Sequence, residues 1–78
     1  MATTAEIGEA KQWASKHARL EREPWAEGQI VLRLHSLKHP DVSRETAPIP
    51  SEDQKPGWED EVFVELVQEL RGYLGGVA

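Results

Sequence analysis

The chain has no cysteine, a single methionine, one phenylalanine and one tyrosine, and these scarcities narrow what it can be before any pattern is read. Without cysteine, disulfides and thiolate metal sites are both excluded, so packing or a partner must hold the fold. No apolar run is longer than Ile30-Val31-Leu32. That is far short of the roughly 20 residues a bilayer-spanning helix needs, so no membrane partner is expected. Residues 1–20 intersperse Glu6, Glu9, Lys11 and Lys16 instead of setting a basic stretch before an apolar one. No secretory signal is read there, and a cytoplasmic location is expected. Basic residues are also few, 9 Lys and Arg against 14 Asp and Glu, with a formal net charge of -5. Attraction to a phosphate backbone needs clustered Lys and Arg, so no direct nucleic-acid binding is expected.

What is present fits one small domain spanning residues 1–78, with 38% hydrophobic residues. A chain of this size buries only about 60% of its unfolded surface, which makes a partner an early suspect. Charge is uneven along it. From Met1 to Pro40, acids and bases nearly cancel, whereas Asp41 to Glu69 holds nine acids against only Arg44 and Lys55. The acidity is local to the second half. All three histidines, His17, His35 and His39, lie in the first.

Hydrophobic periodicity predicts a first helix from Thr3 or Thr4 to Arg22. Thr3 and Glu6 have the spacing of a capping box, in which hydroxyl and carboxylate each satisfy an orphan backbone N–H. Ile7, Ala10, Ala14, His17 and Ala18 fall on one stripe, flanked by Trp13 and Leu20. Pro24 ends this helix. The segment Pro24 to His39 reads two ways. With period two, Ile30, Leu32 and Leu34 alternate as in a strand; with period 3.6, Ile30, Leu34 and Leu37 form a stripe. The helical reading is preferred because a lone strand leaves its ladder unsatisfied, and the only other strand-like run, Val62 to Val67, reads better as helix.

Residues 40–57 hold Pro40, Pro48, Pro50 and Pro56 and read as an irregular loop, with Ile49 and Val42 docking on the core. The last helix is clearest. Glu59, Asp60 and Glu61 suit its positive amino end, and Phe63, Leu66, Leu70 and Tyr73 follow a 3-4-3 spacing before a stop at Gly75-Gly76. Phe63, Leu66 and Leu70 are expected to be buried with Trp13 and Ala14. The expected fold is therefore all-α: a bundle of two to three helices with a long proline-rich loop before the last. The alternative is an α+β fold in which residues 29–37 form a strand pairing in a dimer.

Catalytic patterns are weak. His35 and His39 share a helical face at the spacing used by zinc proteases, but Ser36 stands where the general-base glutamate belongs. Ser15, Ser36, Ser43 and Ser51 lack a nucleophile-elbow context, and no glycine-rich phosphate loop or calcium loop is present. No enzyme activity, cofactor or metal site is expected. The segment Ser51 to Phe63 stands out, because Glu52, Asp53, Glu59, Asp60 and Glu61 surround Trp58. The plain reading is that the helix-start acids complement the helix dipole while Trp58 staples the loop to the core. The functional reading is an acidic-aromatic patch through which a noncatalytic module, a regulator or inhibitor, docks a protein with a basic surface. Such a patch could mimic nucleic-acid charge. Three tryptophans and the 3-4-3 seam also leave apolar surface for a homodimer. The rival is a histidine-dependent metal-binding or small catalytic domain.

Overall fold

The structure, a computed structural model, describes residues 2–77. Its order is α1 (Thr4–His17), β1 (Ala18–Pro24), β2 (Ile30–Ser36), β3 (Ser43–Glu45) and α2 (Trp58–Val77), with single 3-10 turns at Ala26–Gly28 and Ser51–Asp53. The fold is α+β. A three-stranded antiparallel sheet in the order β1-β2-β3 carries both helices on one face, which corrects the all-α expectation.

The capping box forms as read: the Thr3 hydroxyl accepts the Glu6 N–H at 3.1 Å, and Glu6 Oε1 accepts the Thr3 N–H at 3.2 Å. The helix does not continue to Arg22. It stops at His17, and Ala18 turns directly into extended backbone at φ -148, ψ 164. Residues 18–24 then form the strand partner that the helical reading of Pro24 to His39 had found missing. β1 pairs with β2 from Ala18↔Ser36 to Pro24↔Ile30. Arg, Leu and Glu favour helix in isolation, but tertiary pairing overrides so weak a preference. The period-two alternation in the middle segment was the true signal. Leu32 and Leu34 are fully buried beneath the helices, whereas Leu37, on the apolar stripe of the helical reading, is 53% exposed and Ser36, off that stripe, is buried. The α+β alternative, with a strand over residues 29–37, fits the structure better, but its pairing in a dimer is corrected, since β2 is the central strand and pairs on both sides within its own chain.

Residues 40–57 contain regular structure. β3 pairs with β2 in the register Arg33↔Glu45, and farther along Ile30 bridges Ile49. The second pairing is displaced by one residue from the first, so a β-bulge lies at Ala47-Pro48. The extra residue takes Pro48, which has no N–H to donate, out of the ladder. Gln54 then clamps the segment to the β1–β2 hairpin, its side-chain amide donating to Gly28 O at 2.9 Å and Ile49 O at 3.0 Å. The hairpin tip needs left-handed backbone at Glu27 (φ 62) and Gly28 (φ 76).

The core lies between sheet and helices: Ala10, Ala14, Ala18, Leu32, Leu34, Phe63, Leu66, Val67 and Leu70, with Trp13 packed against it. Phe63, Leu66, Leu70 and Ala14 are thus buried where the spacing put them. The last helix passes the expected stop at Gly75-Gly76 and reaches Val77. Among the described residues, no helix is long and apolar enough to cross a membrane.

Candidate interaction surface

Gly57, held at φ 85, turns the chain into α2, and its carbonyl accepts the Glu61 N–H at 3.3 Å. This turn sets Trp58, Glu59 and Asp60 half-buried at the molecular surface, with Trp58 packed against the core. Glu59 and Asp60 form a ridge between two concavities. One, of about 420 Å³, is bounded by Gln54 to Asp60 and has Trp58 in its lining. The other, of about 450 Å³, lies between α1, β1 and the start of α2 and is lined mainly by Ala14, Ala18, Leu20 and Phe63.

The other members of the acidic-aromatic set stand apart. Glu61 is exposed on the opposite flank of α2, in a shallow depression with Glu6, Glu65 and Ala2. Glu52 and Asp53 are exposed on the Ser51–Asp53 turn and line neither concavity beside the ridge. The structure thus brings together Trp58, Glu59 and Asp60 but not all six residues. It also partly neutralises the ridge: Arg22 bonds Glu59 at 2.9 Å and Lys11 lies 3.4 Å from Asp60. All four side chains are substantially exposed, so these pairs contribute little to stability. Arg22 and Lys11 arrive from β1 and α1, and nothing in their spacing relative to Glu59 announced them.

A second charged cluster, missed in the sequence, occupies the sheet face turned away from the helices. Arg33 at its centre bonds Glu45 at 2.7 Å, Glu23 at 3.3 Å and Glu21. Cross-strand register makes this possible, because Arg33 lies directly opposite Glu21 on β1 and Glu45 on β3. His35, beside it on β2, lies 3.5 Å from Glu21. Hydrogen bonds from Arg33, then His35, hold the Glu21 carboxyl below its ordinary value of 4.5. The carboxylates, Glu45 first and then Glu21, push the Arg33 guanidinium further toward its charged form. Only alternation read along a recognised strand would have signalled this cluster.

The histidines do not converge. His17 stacks near Trp13 with ring centroids 5.1 Å apart, His35 sits in the Arg33 cluster, and the His39 N–H donates to Ser36 Oγ at 3.1 Å. Among the described residues, no group of three or more His, Asp and Glu is arranged to hold a metal ion. Comparison with protein-family models, curated proteins and solved structures gives no significant match.

Proposed function

We propose that the chain is a small noncatalytic interaction module acting in the cytoplasm, a regulator or inhibitor that docks a protein with a basic surface on the ridge Trp58-Glu59-Asp60. The observation that carries this reading is the loop-to-helix junction. It presents an aromatic side chain in a concavity of about 420 Å³ and sets two carboxylates on its rim. An aromatic anchor beside a charged rim is the composition of binding hot spots. Glu59 and Asp60 each use one oxygen toward Arg22 or Lys11, so the other oxygen is left for an incoming cation. The surrounding segment from Asp41 to Glu69, with nine acids to two bases, adds a field that draws a basic surface toward the ridge.

Rim charge governs encounter, and a desolvated aromatic governs residence. A protein captured on immobilised wild-type chain should therefore associate more slowly, and with a weaker salt dependence, on the variant Glu59→Gln/Asp60→Asn. It should dissociate faster on Trp58→Phe, a substitution that keeps the packing beneath the ring. Binding that ignores both variants and the salt concentration would remove the ridge from the interface.

A further inference from the structure

We infer that β1 is a self-pairing edge: two copies of this chain join through antiparallel β1–β1 pairing, centred on Leu20, into one continuous six-stranded sheet. This surface lies on the far side of the ridge from the Trp58 concavity, and the inference stands without that reading.

Backbone direction comes first. At the two ends of the β1–β2 ladder, Leu37 N–H donates to His17 O at 3.0 Å and Trp25 N–H donates to Gln29 O at 2.8 Å. Antiparallel bonding alternates, so the odd-numbered residues of β1 bond to β2. The C=O of Ala18 and both backbone groups of Leu20 and Arg22 therefore point away from the sheet, and among the described residues no strand pairs with them, while the Ala18 N–H closes α1 on Ala14 O. Side-chain direction agrees. Ala18 and Leu20 line the groove on the helix side, where Arg22 meets Glu59, while Glu21 and Glu23 meet Arg33 on the open face. Leu20 is 43% exposed on this edge.

Charge then selects the register. With Leu20 opposite its own counterpart, the two Leu20 residues exchange backbone bonds and the Ala18 C=O accepts the Arg22 N–H of the second copy. Arg19 then faces Glu21 of the second copy, and the symmetric pair repeats on the other side. Those odd-numbered pairs fall at non-hydrogen-bonded positions, where side chains approach most closely. Moving the register by two residues brings Glu21 against Glu21 in one direction and Arg19 against Arg19 in the other. The first of these also places Pro24, which has no N–H, opposite Ala18. With Arg22 opposite itself, Glu21 meets Glu23. A one-residue slip would set the outward groups of Leu20 and Arg22 against odd-numbered residues, whose N–H and C=O are already bonded to β2. The centred register alone pairs opposite charges, covers both Leu20 side chains against each other and leaves Pro24 outside the ladder.

The test is sedimentation over about 1 μM to 1 mM chain, the range in which weak association registers. It is joined by NMR on a mixture of labelled and unlabelled copies. The expected result is a dimer with contacts between copies from Leu20 to Leu20 and from Arg19 to Glu21. Arg19→Glu sets like charges opposite one another twice, and it should raise the dissociation constant about tenfold. Leu20→Lys should act the same way, and both positions are exposed, so the fold is retained. Tyr73→Gln, at an exposed residue beside Arg44 on the opposite edge, should leave the dimer unchanged. A chain that stays monomeric throughout the range overturns the inference. So does a dimer indifferent to Arg19→Glu and Leu20→Lys, or one with contacts between copies elsewhere.

Discussion

Two side chains illustrate how much a single residue carries in so small a domain. Arg33 balances three carboxylates on the open face of the sheet. Replacing it with methionine keeps the stem but sets Glu21, Glu23 and Glu45 against each other, so the melting midpoint should fall at neutral pH and recover partly in high salt. Glu21 gives the pH dependence. Its carboxyl titrates below the ordinary value of 4.5 in the folded chain, so its stabilising contribution is complete above about that pH. The contribution is lost as pH falls through the depressed folded value. Glu21→Gln should therefore flatten part of the acid limb of a stability curve below about pH 4.5, measured by denaturant melts. A curve with unchanged slope would show that Glu21 is equally ionised in the unfolded chain. Glu27 works against the fold: it holds φ 62, a region that disfavours side chains bearing Cβ. Glu27→Gly should raise stability by up to about 1 kcal/mol, the relief exceeding the cost of the conformational entropy that glycine adds to the unfolded state.

At the scale of elements, the two helices hold by different means. α1 offers only Ala10 and Ala14 as buried residues and relies on its capped end. Thr3→Ala should cost about 1 kcal/mol by leaving the Glu6 N–H unpaired, and amide exchange should show the first turn fraying. α2 supplies the bulk of the helical side of the core. Leu66→Ala should cost about 2 to 5 kcal/mol, a large part of the stability of a domain this size. An unchanged melting midpoint would mean that α2 does not hold the core. β1 is the element the periodicity could not reveal. Its inward positions are Ala18, Leu20 and Arg22, and only the first is buried, because the strand lies at the edge where the helices no longer cover it. Without apolar alternation, Arg19 to Glu23 reads as the continuation of an amphipathic helix.

Over the whole molecule, properties that depend on neighbours along the chain were legible in the sequence. The Thr3 cap, the buried face of α2, the alternation of Ile30, Leu32 and Leu34, and the grouping of Trp58 with Glu59 and Asp60 are all set within one or two turns. The hydrophobic pattern carries such information directly. Tertiary structure alone decided what depends on residues far apart. It chose strand over helix for the middle segment, because β2 required a partner and residues 18–24 could supply one despite their helical composition. It set the bulge that excludes Pro48, brought Arg22 and Lys11 to the acidic ridge, and gathered Glu21, Glu23 and Glu45 around Arg33. The physical reason is that a strand, unlike a helix, satisfies its backbone only against another segment, so its identity is a property of the pair and not of its own residues.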